Sequence, residues 1–465
     1  MARPNVLFLP VDDLRPQLGC YGHPQMATPH LDALAGSGVC FTQAYCQVPV
    51  CGATRASLLS GVRPTRARFR DYKTVVDNDL PGTLTLPEHF RHHGYTCVSL
   101  GKVFHHLADT APRSWSEEPW HPRTRREGNW RDYQDPTNRA RAEAHPKGCG
   151  APYECIEGPD NAYYDGKIAD RAVAELGRLK QAGEPFFLAA GFLKPHLPFN
   201  APKRYWDTYR RSHVPLADNP FRPDGAPDEA MHNWGELRAY FDVPQHGPLP
   251  EPMARALVHG YYAATSYTDA QIGRVLAELD RLGLAESTIV VVWGDHGWQL
   301  GEHGLWCKHC NFRTSLNAPL IVRAPDACRG AQADAVVEFL DVFPTLCDLT
   351  GLPTPDRVQG TSLAPILEDP TRPIKDAAYC RYGAGESVRT GRYLYTEWLD
   401  GEGAVAARML YDHEADPNEN ANIAERPELA TTVERLSAMA AQRRQADQAW
   451  DATHGSERQG AQESV

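Results

Sequence analysis

Residues 287–297 read Ser-Thr-Ile-Val-Val-Val-Trp-Gly-Asp-His-Gly. A short apolar run with consecutive β-branched residues predicts a strand buried on both faces, as a parallel sheet requires. It stops at Gly294 and delivers an acid and an imidazole, Asp295 and His296, just past its end. The same arrangement recurs. Asn5-Val-Leu-Phe-Leu-Pro-Val11 ends in Asp12-Asp13, Tyr95 to Leu100 ends in Gly101-Lys102-Val103-Phe104-His105, and Phe186 to Phe192 emerges at Lys194-Pro195-His196. Pro10 is tolerable only beside the last ladder bond of its strand. Helix patterns lie between these runs, at Thr28 to Gly38 with Leu31, Leu34 and Ala35 on one face, and at Thr83 to Gly94. Alternating strand and helix through two-thirds of the chain predicts an α/β fold, a large mostly parallel sheet with helices on both faces. Ligand sites in such sheets lie past the carboxyl ends of the strands, so residues distant in sequence are expected to meet at one edge.

Residues 48–61, Val-Pro-Val-Cys-Gly-Ala-Thr-Arg-Ala-Ser-Leu-Leu-Ser-Gly, predict a short helix with Cys51 at its mouth and Gly61 as its stop. Unpaired N–H groups and the helix dipole there favour negative charge on the thiol or on a ligand. The plain alternative is a structural cysteine that caps the helix.

With 465 residues, 42% of them hydrophobic and 23% charged, the chain has the composition of a globular protein able to bury a large core. No apolar run approaches the roughly 20 residues that span a bilayer. Met1-Ala-Arg-Pro-Asn5 enters a strand at once, so the chain reads as cytoplasmic and bacterial. A net charge of −11 opposes nucleic acid and anionic membranes as partners, and an anionic substrate would need a local cationic funnel. The 12 cysteines are scattered. Cys307-x-x-Cys310 lacks a second pair for zinc, and Cys149 and Cys155 are expected to stay reduced. Residues 106–160 and 197–255 lack periodicity and are assigned to the rim of the site. After Pro373 come short strand patterns at Ala378 to Arg381, Ser387 to Thr390, Tyr393 to Trp398 and Arg408 to Asp412, then a helix from about Glu428 to Gln445. This divides the chain into residues 1–370, a smaller antiparallel part at 371–450, and a polar tail at 451–465 read as disordered.

Cys51-Gly-Ala-Thr-Arg55, with Leu59 and Gly61 behind it, resembles the signature of sulfatases, in which the cysteine is oxidised to formylglycine. Pro4 to Gly22, Gly101 to His105, Gly191 to Phe199 and Gly294 to Phe312 resemble the iduronate-2-sulfatase type more than the arylsulfatase type, and Leu410-Tyr411-Asp412 with Asp416-Pro417 is similar to the family's C-terminal region. The resemblance implies the alkaline-phosphatase-like fold and a Ca2+ ion held by Asp12, Asp13, Asp295, His296 and an oxygen of modified Cys51. Hard oxygens suit calcium, whereas an imidazole does not, so a divalent cation is the firmer part of that expectation. It further implies that Arg55, Lys102 and Lys308 neutralise sulfate oxygens, that a hydroxyl of the formylglycine hydrate attacks sulfur, that His196 with Lys308 protonates the leaving oxygen, and that His105 takes the proton of the remaining hydroxyl. Thr54 keeps the hydroxyl of the usual serine, and Ala53 matches the form handled by oxygen-independent maturation enzymes. The expected partners are a formylglycine-generating enzyme and a small sulfated oligosaccharide or sulfate ester, of the 2-O-sulfated uronic acid type. Two other readings stand beside this one: a formylglycine-dependent phosphonate monoester or phosphodiester hydrolase, and an unconverted, non-catalytic protein that binds sulfated glycans.

Overall fold

The computed structural model describes residues 3–124 and 130–454. Seven strands form the central sheet: β1 (Asn5–Val11), β2 (Val39–Phe41), β3 (Thr96–Gly101), β4 (Phe186–Gly191), β5 (Thr288–Gly294), β6 (Leu320–Arg323) and β7 (Ala331–Ala333). Their order is β7-β2-β6-β5-β1-β4-β3. Only β6 runs against its neighbours, so the sheet is mostly parallel, as the buried runs require. Pro10 sits opposite Trp293 next to the end of β1, and its carbonyl still accepts Phe192 N–H at 2.9 Å.

Alternation along the strands splits the core into two layers. Val6, Phe8, Phe187, Ala189, Val291 and Trp293 face helices α2 (Cys51–Ser60), α3 (Leu86–His92) and α6 (Val342–Thr350). Leu7, Leu9, Leu188, Val290 and Val292 face α1 (Pro29–Gly36), α4 (Tyr164–Ala182) and α5 (Glu251–Arg281). Each of the larger of these side chains removed from water stabilises the fold by roughly 1.5–3 kcal/mol before entropy is counted. The strand ends are crowded. A Cβ on Gly191 would lie 1.9 Å from the carbonyl oxygen of Lys102, so only glycine lets β3 and β4 finish side by side.

Local chemistry moves two helix starts. Thr85, not Thr83, opens α3 through a capping box, with its hydroxyl accepting Glu88 N–H and the Glu88 carboxylate accepting Thr85 N–H. Thr28 precedes α1 without capping it, because its hydroxyl accepts Gly19 N–H and donates to Asp32. The two aperiodic regions are tied together by Tyr153–Ile156, which pairs in parallel with Phe199–Pro202. The second region ends at the start of α5, which Pro250 and Pro252 disguise in the sequence.

A second sheet, β8 (Ala377–Tyr382), β9 (Gly385–Thr390), β10 (Tyr393–Leu399) and β11 (Val405–Asp412), is wholly antiparallel. Its Val388, Tyr395 and Leu410 pack on Val433 and Leu436 of α7 (Ala430–His454). Helix α7 runs past the predicted end at Gln445, so residues 451–454 are helical and not tail. Trp450 stacks on the Arg68 guanidinium, 4.4 Å from ring centroid to Cζ, and Asp451 pairs with Arg68, which holds the last turns down. The rest of the tail, 455–465, lies outside the described residues. All 12 cysteines are free thiols, including Cys149 and Cys155, and Cys310 spends its sulfur on Ser315 at 3.1 Å. Among the described residues no helix is long and apolar enough to cross a membrane.

Candidate active site

The ends of β1, β4 and β5 are laced together by Asp12 N–H to the Phe192 carbonyl at 3.1 Å and Asp295 N–H to the Val11 carbonyl at 3.2 Å. Asp13 takes a left-handed conformation, φ 59°, which short polar side chains tolerate, and its N–H donates to Asp295 Oδ1 at 3.0 Å. The three carboxylates therefore share one floor. Helix α2 arrives over it with Cys51 as its first residue and no side chain capping its first turn, while Gly61 ends it at φ 67°. His296 Nε2 lies 3.4 Å from Cys51 Sγ, 3.4 Å from Asp13 Oδ1 and 3.6 Å from Asp295 Oδ1.

Cations surround the floor. Lys102 Nζ donates to Asp12 Oδ2, and Lys308 Nζ lies 3.0 Å from Asp13 Oδ1. Arg55 is completely buried beneath Cys51, with Nε donating to Asp295 Oδ2 at 2.9 Å and Nη1 donating to the carbonyls of Lys102 and Val103. It is not among the residues that line the cavity above Cys51, and its guanidinium lies against the carboxylates of Asp295 and Asp12. Lys194, also delivered past β4, turns away and donates to the carbonyls of His196 and Pro198 at 2.6 and 2.7 Å.

A cavity of about 700 Å3 opens above Cys51, lined by Lys102, His105, His196 and Lys308 among others, a size typical of small-molecule sites. Both aperiodic regions wall it, the first through Trp130, Arg131 and Lys147 and the second through Glu236 and Tyr240. Glu236 is the residue that sequence reasoning missed. Its carboxylate lies 3.1 Å from His196 Nε2 and 3.0 Å from Lys308 Nζ. Nothing in the motif pattern marks it, since it sits on a single helical turn, Gly235–Arg238, inside a stretch without periodicity.

Burial opposes the charge on Asp12, yet Lys102, His196 and Arg55 hold its carboxyl well below the usual range. Asp13 is pushed up to about 7 by burial, against the pull of Lys308. Burial, and then the Asp12 carboxylate, push the Cys51 thiol well up, which outweighs the helix dipole expected to favour a thiolate. An unmodified Cys51 is thus a protonated, poor nucleophile. His105 is pushed down to about 2 by burial and by Lys102, so it is a neutral imidazole, and its Nδ1 has no hydrogen-bond partner among the described residues.

A family model described as Sulfatase matches residues 4–352, and one described as N-sulphoglucosamine sulphohydrolase, C-terminal, matches residues 301–446. The chain belongs to the sulfatase family. Its relatives include iduronate 2-sulfatase of Homo sapiens, 32% identical with 90% of each chain covered, and a delta 4,5-hexuronate-2-O-sulfatase of Bacteroides thetaiotaomicron, 28% identical with 91% of this chain and 85% of the relative covered. The fold is also that of a phosphonate monoester hydrolase from Silicibacter pomeroyi, with a TM-score of 0.76 at 22% identity over 96% of each chain. The protein is accordingly an enzyme of the class that hydrolyses sulfate esters, on an alkaline-phosphatase-like fold.

In this sulfatase the donor set suits a divalent cation. Ligand atoms of Asp12, Cys51, Asp295 and His296 all lie within 4.8 Å of one another, as do those of Asp12, Asp13, Cys51 and His196. Asp12 Oδ1 is buried without a hydrogen-bond partner. The Gly297 carbonyl, 3.0 Å from His296 Nδ1, occupies that nitrogen and leaves Nε2 as the one that faces the carboxylates. Three carboxylates and an imidazole converging on one point, with Asp12 Oδ1 left without a hydrogen-bond partner, form a donor set that a divalent cation fits.

Proposed function

We propose that this sulfatase hydrolyses the sulfate monoester of a sulfated sugar of the 2-O-sulfated uronic acid type. Cys51, matured to formylglycine by a separate enzyme, and a divalent cation, Ca2+ by resemblance, complete the site; Asp12, Asp13, Asp295, His296 and the side chain at 51 hold the ion. When present, the hydrated aldehyde supplies a nucleophilic oxygen and the cation supplies Lewis acidity toward a sulfate oxygen.

The chain's own residues do the rest. Lys102 and Lys308 flank Cys51 in the cavity wall and neutralise charge on the sulfate oxygens. His196 protonates the departing sugar oxygen. Its Nδ1 lies 2.6 Å from the Leu197 carbonyl and its Nε2 3.1 Å from Glu236 Oε1; burial and Lys308 lower its pKa, while Asp12 and Glu236 work against them. Neutral His105, with Nδ1 open, accepts a proton from the group at 51. Arg55 acts through Asp295 and Asp12. Catalysis belongs to residues 1–370, with 371–450 as an attached antiparallel unit.

The observation that carries this reading is the convergence of four strand ends and one helix N-terminus on Cys51, at the bottom of a cavity of about 700 Å3. The identity to iduronate 2-sulfatase supports the choice of sugar. The test is mass spectrometry of the Cys51 peptide, paired with release of sulfate from a 2-O-sulfated uronate disaccharide and turnover of aryl phosphonate and phosphodiester. Formylglycine with preferred sulfate release is expected. Preferred phosphonate turnover would move the enzyme to the hydrolase reading, and a thiol at 51 under every growth condition would leave only glycan binding.

A further inference from the structure

Soon after helix α2 the sequence reads Arg63-Pro-Thr-Arg-Ala-Arg-Phe-Arg70, four arginines in eight residues of a chain whose net charge is −11. The fold sets this loop against the C-terminal unit, and a second cavity, of about 530 Å3, lies between them. Arg63 and Arg66 enter it from the loop, Arg381 from β8, and Arg443 and Arg444 from α7. Among the described residues none lines both this cavity and the one above Cys51: Gln47 belongs to the first, Val50 and Cys51 to the second. The proposed reaction makes no use of it.

Charge in this cavity does not balance. Three carboxylates line it, and each already meets a guanidinium: Glu386 takes Arg66 at 2.9 Å and Arg444 at 2.7 Å, Asp447 takes Arg443 at 2.7 Å, and Asp451 takes Arg68. Arg63 is spent on the buried Glu338, at 2.8 Å. Arg381 is left over. It stands directly across the β8–β9 ladder from Glu386, and its Nη1 donates to the carbonyl of Thr65, the neighbour of Arg66. Arg66, Arg381 and Arg444 thus gather round one carboxylate. The partners of Arg381 are neutral, since Nη2 donates to the Gly383 carbonyl at 3.1 Å. Burial pushes its guanidinium down to about 10 against the pull of Glu386, and Arg66 pushes the same way, as for a cation short of negative charge. At neutral pH it stays charged, and two bonds to carbonyls leave part of its planar fork for an anion. Pro64, Val388, Leu399 and Ala440 give the cavity an apolar part, and apolar walls with a few convergent polar groups are the usual form of a small-molecule pocket.

We propose that this cavity binds a tetrahedral oxyanion, phosphate or sulfate, free or as the head of a small organic ester, held by Arg381 and Arg66 beside the saturated Glu386. Charge-assisted bonds from two guanidiniums recognise the oxygens, and the apolar part receives the body of an ester. The anion bridges the loop after α2 and the C-terminal unit, so its binding slows local opening of both.

Hydrogen exchange read by mass spectrometry locates the binding, because peptides covering 62–69 and 439–452 belong to this cavity and those covering 48–55 and 100–106 to the other. The probes, applied to the full-length protein, are inorganic sulfate, inorganic phosphate and adenosine monophosphate, and dissociation constants come from the dependence of protection on probe concentration. At least one probe is expected to protect 62–69 and 439–452. Arg381→Ala is expected to weaken that binding roughly 10- to 100-fold, and Arg66→Ala about tenfold. Arg381→Lys should restore only part, because an ammonium cannot reproduce the fork. Equal affinity for the nucleotide and an inorganic ion assigns the site to the free ion, and tighter binding of the nucleotide assigns it to an ester. Protection confined to 48–55 and 100–106, or the same dissociation constant in wild type, Arg381→Ala and Arg66→Ala, would overturn the proposal. Should Arg381→Ala not fold, Arg66→Ala decides it, since that side chain is 47% exposed and its loss leaves Glu386 paired with Arg444.

Discussion

Arg55 Nε donates to Asp295 Oδ2 across 2.9 Å with both side chains wholly screened from water. The same guanidinium reaches the carbonyls of Lys102 and Val103, so one side chain of α2 clamps the ends of β3 and β5. Removing it leaves Asp295 charged and buried without its partner, which costs about 3–5 kcal/mol in comparable sites. Arg55→Ala is expected to lose that much in urea denaturation of the metal-free protein. A loss below about 1 kcal/mol would mean the carboxylate floor does not depend on this brace.

Lys102 and Lys308 both line the cavity with Cys51, and each is held charged: burial works against the ammonium, but Asp12 raises the first and Asp13 raises the second. Fixed positive charge where the sulfate oxygens develop negative charge lowers the barrier without reorganisation. Lys102→Ala and Lys308→Ala are each expected to reduce kcat/KM by about tenfold or more in steady-state assays of sulfate release. Near-wild-type rates in both variants would show that the cationic funnel lies elsewhere.

Glu236 joins His196 to Lys308, and its carboxylate faces the nitrogen that would donate the proton. Glu236→Gln keeps the volume and one acceptor oxygen but removes a charge that, against burial and Lys308, favours a proton on His196. The expected signature depends on the leaving group. Turnover of a sugar sulfate, whose alkoxide leaves poorly, should fall by about 100-fold, while an aryl sulfate with an acidic phenol should fall far less. Equal losses on both would reduce Glu236 to a packing residue.

How much of this was readable beforehand follows from what each signal measures. Strands β1, β4 and β5 announced themselves because burial on both faces favours a nearly continuous apolar run, and they and the edge strand β3 each carried functional residues directly behind them. Cys51 was readable because a helix must start somewhere and Gly61 fixes where it stops. Arg55 was located in sequence but not in space, since a motif does not say whether a guanidinium points up into a cavity or down between carboxylates. The direction of the Cys51 thiol shift was misjudged for the same reason: the dipole is local and visible, whereas Asp12 reaches it from another strand. Glu236, Trp130 and Arg131 were invisible individually. They lie in segments without period, positioned by contacts such as Trp130 on His196 that no sequence spacing encodes.

Asp13 gives the site a pH dependence whose sign is fixed. Burial raises its carboxyl to about 7 in the cation-free protein, although Lys308 pulls the other way. The folded value lies above the unfolded one, so without the ion Asp13 stabilises the fold fully at acid pH and loses that contribution as pH rises toward 7 and beyond. A cation binds only the ionised form and must expel the proton below that point. Affinity for Ca2+ in metal-free protein should therefore weaken about tenfold from pH 8 to pH 6 and be nearly flat from pH 8 to pH 9. Calorimetry across that range, repeated with Asp13→Asn, checks it: the variant should bind more weakly throughout and lose most of the slope. A wild-type affinity that does not change between pH 6 and pH 8 would remove Asp13 from the ion's ligands.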